Sequence, residues 1–290
     1  MTEPVTHTLE APGAIVRYDV RESEPAGGSP LVMIATPMGA AGFGTLATHF
    51  SDRTIITYDP RGVERSELTD PGLEITPEVH AADVRAVIEA VGGGPVDLFA
   101  SSGGAVNALA LVAEHPELVA TLIAHEPPIA AVLPDAANAL AACRAVRDTY
   151  RRKGWGHGMA QFIALSSRRG PVPADFAAQP APDPATFGLP TDDDGARDDL
   201  MLGSNIVTLT HYRPDVDALR AASTPIVVAV GADSDGELAH RGGEAVAALL
   251  GTTPVTFPGG HAGFLGGEYG QMGEPAAFAR QLRAVLAKQA

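Results

Sequence analysis

The stretch Pro95-Val96-Asp97-Leu98-Phe99-Ala100-Ser101-Ser102-Gly103-Gly104-Ala105 decides how the rest of the chain is read. Its first six residues form a short, mostly apolar run with β-branched and aromatic members, the pattern of a buried strand. From Gly104 to His115, residues Val106, Leu109, Ala110 and Ala113 recur on one helical face, and Pro116 stops the helix. A strand that turns straight into a helix forces its corner residue, Ser102, into strained backbone geometry, which is tolerable only beside very small neighbours. Ala100, Gly103 and Gly104 supply them. A hydroxyl held at such a corner is a candidate nucleophile.

Working outward, the same alternation of strand and helix recurs on both sides. Upstream, Leu31–Thr36 is a continuous apolar run, as expected for a central parallel strand covered on both faces. Thr54–Asp59 is the next strand. Thr76 caps a helix that carries Pro77 and Glu78 in its first turn and Val79, Ala82, Ala86, Val87 and Val91 at helical spacing, and Gly92-Gly93-Gly94 ends it. Downstream, Leu118–His125 is a strand broken by Glu126-Pro127-Pro128. Strand structure resumes at Pro225–Gly231, followed by a helix over 238–250, a last strand Thr253–Pro258, and a closing helix with Phe278, Leu282, Val285 and Leu286 on one face. Val5–Glu10 and Gly13–Val20 read as an opening hairpin, and 21–30 as a polar loop. This order predicts an α/β fold with right-handed crossovers and a mainly parallel sheet, with Ser102 at its carboxyl end, where open α/β folds bind ligands.

From Ile129 to Asp215 the alternation stops. Ala136–Arg152 is a long Ala-rich helical stretch, Met159–Ser166 a shorter one, 171–194 is rich in Pro, Ala and Asp without a period, and 198–212 reads as helical.

At 290 residues, with 45% hydrophobic and 19% charged residues, the chain has the size and composition of a soluble α/β protein carrying an insertion. Lys+Arg 20 against Asp+Glu 35 gives a net charge of −15, which argues against nucleic acid and anionic membranes as partners and leaves a small molecule as the expected one. Cys143 is the sole cysteine, so an internal disulfide is excluded, and no Cys/His spacing suggests a metal site. The N-terminus lacks the apolar stretch of a signal peptide, so the expectation is a cytoplasmic protein.

Ala100-Ser101-Ser102-Gly103-Gly104 resembles the G-x-S-x-G nucleophile elbow of the α/β-hydrolase family, with Ala100 in place of the first glycine. Asp59-Pro60-Arg61-Gly62-Val63-Glu64-Arg65-Ser66 resembles that family's D-x-R-G-x-G-x-S turn, with Glu64 where glycine is usual, and Asp59, Arg61 and Ser66 take a structural role in it. The loop Pro37-Met38-Gly39-Ala40 stands where the family usually has a His-Gly dipeptide, which is absent.

The resemblance implies an α/β-hydrolase core over 1–128 and 216–290 and a helical cap over 129–215. A serine needs a base to take its proton and an acid to orient that base. His261, in a Gly-rich loop after the last strand, matches the family's base in position and order. The acid is open between Glu126, which ends an apolar strand before two prolines, and Asp233 or Asp235, which flank the family's more usual location. Backbone N–H groups of Gly103 and Met38 are the expected oxyanion hole, Pro37 having no N–H to give. Of the other histidines, His7, His80, His115 and His240 read as surface positions and His49 as partly buried. His125 sits beside the site, and His157 and His211 lie in the cap, within reach of substrate.

The implied activity is hydrolysis of an ester, thioester or related acyl bond of a small to medium, largely apolar substrate, without cofactor or metal. Cofactor-free lyase, cyclase or perhydrolase chemistry on the same residues, acyl transfer, and a non-catalytic binding role are the alternatives. A serine at position 102 separates the chain from the haloalkane dehalogenase and epoxide hydrolase branches, which resemble this fold but place an aspartate there.

Overall fold

The computed structural model describes residues 3–23 and 28–289. Positions 24–27, within the loop read over 21–30, lie outside the described residues.

Strands β1 (Val5–Ala11) and β2 (Ala14–Arg21) form the expected antiparallel hairpin, turned by Gly13 at φ +75. β3 (Leu31–Thr36) is buried along its whole length. It leads through a short turn into α1 (Gly44–Thr48), β4 (Ile55–Asp59) and the two-residue β5 (Glu67–Leu68). α2 (Pro77–Ala90) begins as predicted, with the Thr76 hydroxyl accepting the Val79 N–H at 3.4 Å. β6 (Val96–Ser102) runs directly into α3 (Gly103–Glu114), and a short turn containing Pro116–Leu118 joins α3 to β7 (Val119–His125). The segment after β7 contains α4 (Ala136–Lys153), α5 (Trp155–Ser166), a π-helical turn over Met201–Asn205, and the short α6 (Ile206–Thr208) and α7 (Val216–Ala221). β8 (Ile226–Gly231), α8 (Leu238–Leu250), β9 (Val255–Phe257) and α9 (Pro275–Gln289) complete the chain.

The described strands form one sheet in the order β1-β2-β4-β3-β6-β7-β8-β9, with β5 beside β2. Every pairing from β4 to β9 is parallel, and the hairpin end is antiparallel. Because side chains alternate across a strand, β3 and β6 divide their apolar residues between two cores. Val32, Ile34, Leu98 and Ala100 pack with Val84 and Ile88 of α2 and Val106 and Leu109 of α3. Leu31, Met33 and Phe99 pack on the other face with Leu46 of α1 and Phe278 and Leu282 of α9. A third apolar cluster, including Ala142, Val146, Leu165 and Leu202, lies mostly in the segment between β7 and β8 and is joined by Leu238, after β8.

Two expectations are corrected here. His80 and His240 are not surface residues but are 1% and 6% exposed, the first on α2 against the segment after β7, the second on α8. Both were misjudged because burial of a helix position by a distant part of the chain leaves no local trace. Helix α5 also starts earlier than its apolar period suggests, at Trp155, after Gly154 at φ +85.

Candidate active site

Ser102 closes β6 with φ 56 and ψ −129, in the left-handed half of backbone space that a non-glycine residue rarely occupies. Its neighbours show why they are small. A Cβ on Gly104 would lie 2.6 Å from the Ala35 Cα and 2.9 Å from the Ala35 nitrogen, and one on Gly103 would lie 2.8 Å from the Thr36 carbonyl oxygen. Both obstacles are backbone of the adjacent strand β3, so they cannot be relieved by a rotamer change. Ala100 is fully buried between Ile34 and Ala124 in the sheet, where its methyl group is accommodated.

His261 follows β9 in the Gly-rich loop. Gly259, at φ +76, turns that loop so tightly that a Cβ would stand 2.8 Å from the Gly263 Cα. The imidazole Nδ1 lies 2.6 Å from Oε2 of Glu126. Ser102 and His261 line one cavity of about 240 Å³.

Glu126 is fully buried, at φ +48, one residue past β7. Its backbone N–H donates to the Ala229 carbonyl at 2.9 Å. The second carboxylate oxygen, Oε1, accepts from the Gly231 N–H at 2.8 Å and from the Ser234 hydroxyl. The ring Nδ1 of His240 lies 3.6 Å from the same oxygen. Helix α8 approaches this corner closely because Gly242 has no Cβ to collide with the Pro127 carbonyl oxygen. Burial pushes the Glu126 carboxyl up, and is the largest single influence. The hydrogen bond and charge of His261, the nearby His125 and the Ser234 hydroxyl together outweigh it and hold the group down at about 2. The carboxylate is therefore ionised at neutral pH.

Asp233 and Asp235, the other acids considered, are both exposed, and neither is hydrogen-bonded to His261. Asp235 instead lies 3.7 Å from Nε2 of His240. The position between them holds Ser234, whose hydroxyl braces Glu126. Ser234, His240 and the Gly231 N–H were not anticipated as parts of the site. A serine at the family's usual acid position, with a glutamate ending the preceding strand, is the signal that would have found them.

Gly103 lines the cavity; Met38 does not, and its side chain instead folds over Gly42, where a Cβ would strike its sulfur. His125 points into the aromatic cluster of Phe99, Phe257 and Phe278, with Nδ1 3.0 Å from the Ser101 hydroxyl and its ring centroid 6.1 Å from that of His261. Burial drives its pKa down to about 4, so it is neutral. His157 and His211 are absent from the cavity lining, and Arg144 Nη1 stands 2.9 Å from His211 Nε2.

The turn after β4 is structural, as its residues suggest. Asp59 accepts the Ala40 N–H at 2.8 Å and Arg65 Nε at 2.6 Å, and the Ser66 hydroxyl donates to the Asp59 carbonyl at 2.7 Å. Arg61 makes a two-pronged buried pair with Asp83, at 2.7 and 2.6 Å. Together these bonds fix the loop that begins at Pro37 beside the cavity.

Among the described residues no group of three or more His, Cys, Asp or Glu side chains is arranged to hold a metal ion, and no helix is long and apolar enough to cross a membrane.

Residues 38–265 match the family model described as alpha/beta hydrolase fold. The chain belongs to the α/β-hydrolase fold family. This α/β hydrolase is 28% identical over 264 residues to the uncharacterized hydrolase YraK of Bacillus subtilis (strain 168), covering 89% of each chain. Among solved structures it is similar to a thermophilic esterase from Thermogutta terrifontis, with a TM-score of 0.66, 22% identity and 99% of each chain covered. An alpha/beta hydrolase from Sphaerobacter thermophilus matches with a TM-score of 0.60 at 21% identity, over 97% of this chain and 100% of that one. Membership of this fold family accounts for the strand order of the sheet.

Proposed function

We propose that this α/β hydrolase is a serine hydrolase acting on an ester, thioester or related acyl bond of a small to medium, largely apolar substrate. The observation that carries the reading is the 2.6 Å His261–Glu126 hydrogen bond at a cavity that Ser102 also lines. Ser102 Oγ attacks the acyl carbonyl while His261 Nε2 takes its proton. Glu126 holds the imidazole in the tautomer that leaves Nε2 free and stabilises the imidazolium once formed. The backbone N–H of Gly103, which lines the cavity, receives the oxyanion, and the Met38 N–H, next to the cavity-lining Pro37, is the candidate second donor. His261 then returns the proton to the leaving group, and water, activated by the same imidazole, releases the acyl chain from Ser102.

The walls support this substrate class. Phe162, Met201, Ile206 and Leu209 of the segment between β7 and β8 face the cavity with Leu238 of α8, so an acyl or alcohol chain entering it meets mainly hydrocarbon. In this reading 129–215 is the cap that shapes the pocket and 1–128 with 216–290 is the core that performs the chemistry.

The test is labelling by a fluorophosphonate, with the modified peptide located by mass spectrometry. Labelling at Ser102 that is lost in Ser102→Ala and strongly slowed in His261→Ala is the expected result. An unlabelled but folded wild-type protein overturns the proposal.

A further inference from the structure

Asn205 forms part of the wall of the Ser102 cavity and is 2% exposed, yet neither its Nδ2 nor its Oδ1 has a hydrogen-bond partner among the described residues. It ends the π-helical turn Met201–Asn205, an uncommon winding that recurs at functional sites. The start of that turn is tied down by Asp199, which accepts the Leu202 N–H at 2.8 Å and the Trp155 indole N–H at 2.9 Å. The amide is thus held on a fixed piece of backbone and shut from water.

The hydroxyl side chains of the same wall are already engaged. Thr36 donates to the Ala35 carbonyl, Thr210 to the Ile206 carbonyl, and both Ser166 and Ser167 to the Ile163 carbonyl. His80 adjoins this amide: their contact, the weakest influence on the imidazole, raises its pKa slightly, but is too poorly aligned to satisfy either residue as a hydrogen bond among the described residues. Burial first, and the Arg61 charge second, hold His80 down at about 4, so it is neutral. Arg61 is itself consumed by Asp83. Besides the Glu237 carboxyl on the α8 side of the cavity, what this wall offers is the uncharged donor and acceptor of the Asn205 amide.

We infer that Asn205 is a specificity residue, and that the substrate carries an uncharged group with both a donor and an acceptor, a carboxamide or hydroxyl, on its otherwise apolar chain. The inference rests on the serine-hydrolase reading, since it assigns one end of that enzyme's substrate. A group reaching Asn205 forms hydrogen bonds to an amide that is already dehydrated, whereas an apolar group of the same shape leaves that amide unpaired. Sites built to hydrogen-bond a substrate group discriminate strongly against analogues that lack it. Rotation about the last torsion of the Asn205 side chain, which is broad for asparagine, turns the amide toward the bound group.

The experiment compares p-nitrophenyl esters that differ only in replacing a terminal carboxamide by the isosteric isopropyl group, such as the 4-carbamoylbutanoate and the 5-methylhexanoate, together with their shorter and longer homologues. Wild-type protein is expected to favour the carboxamide by about tenfold or more in kcat/KM at one chain length. Asn205→Leu is expected to abolish or reverse that preference, with Ser102 still labelled by the fluorophosphonate. Equal or better turnover of the isopropyl ester by wild type at every length overturns the inference without recourse to a variant. So does a preference that survives in a folded Asn205→Leu. Hydrolysis of neither series, with no labelling of Ser102, fails the serine-hydrolase reading itself, a distinct outcome.

Discussion

Oε2 of Glu126 lies 2.6 Å from Nδ1 of His261, although the two residues are 135 positions apart and sit on loops beyond β7 and β9. The strand between them, β8, supplies the Gly231 N–H that holds the other carboxylate oxygen. The acid is thus fixed from both sides before any substrate arrives.

Glu126→Gln keeps the shape of that contact and removes its charge. By the behaviour of the corresponding aspartate-to-asparagine change in serine proteases, kcat is expected to fall on the order of 10⁴-fold, through the wrong imidazole tautomer. Steady-state hydrolysis of an activated ester checks it, with Asp233→Asn and Asp235→Asn expected to stay within about threefold of wild type. A large loss in either aspartate variant, with Glu126→Gln little affected, would refute the assignment.

The same carboxyl titrates at about 2 in the folded protein against an ordinary value of 4.5. A group whose folded pKa is depressed contributes stability that is fully present above its unfolded pKa and fades as pH falls toward the folded one. Urea midpoints measured from pH 6 down to pH 2 should therefore drop for wild type through the window between about 4.5 and 2. For Glu126→Gln, that component of the drop should be missing.

Ser102 bears a backbone conformation that costs of order 1–3 kcal/mol for a residue with a Cβ. Ser102→Gly is expected to be more stable than Ser102→Ala by about 1 kcal/mol, both being inactive. Thermal unfolding of the two variants side by side decides it, and equal midpoints would mean the corner is unstrained.

Gly104→Ala forces a methyl group against the Ala35 backbone. A destabilisation of about 1–3 kcal/mol is expected, as for other overpacked positions, together with displaced geometry at Ser102 and slower fluorophosphonate labelling.

Asp83→Ala leaves the Arg61 guanidinium buried and uncompensated, and is expected to cost about 3–5 kcal/mol. The double variant Arg61→Met, Asp83→Leu should recover most of that loss, because removing both charges also removes their desolvation cost. Denaturant unfolding of the three proteins closes the cycle.

Where structure depends on local pattern, the sequence was legible. The apolar run Leu31–Thr36, the Thr76 cap and the corner at Ser102 each announce themselves within a dozen residues, and each stands where expected. The candidate site was legible as far as it follows strand ends: a glutamate after an apolar strand and before two prolines is an unusual place for a solvated charge. What escaped depends on meetings across the chain. His80 is enclosed beside Asn205, more than a hundred residues downstream, and His240 beside Glu126, with no signal in its own helix. The π-helical turn at 201–205 likewise reflects packing against α4 and α5 rather than any periodicity of its own. The segment between β7 and β8 is therefore the least readable part.

The meeting of Ser234 with Glu126 has a bearing on ancestry. Neighbouring strand tips offer two perches for one charge, and here the carboxylate stands on one while a hydroxyl on the other braces it. Migration of the charge from one perch to the other needs no change of backbone path, only an exchange of side chains between two loop positions. A lineage that acquired an acid at 234 before losing the one at 126 would pass through a form in which two carboxyls share a proton. Such a form would keep one carboxyl protonated and one ionised near neutral pH, so the imidazole would face a single negative charge as before. The strand that holds the charge can thus change while the imidazole stays where it is.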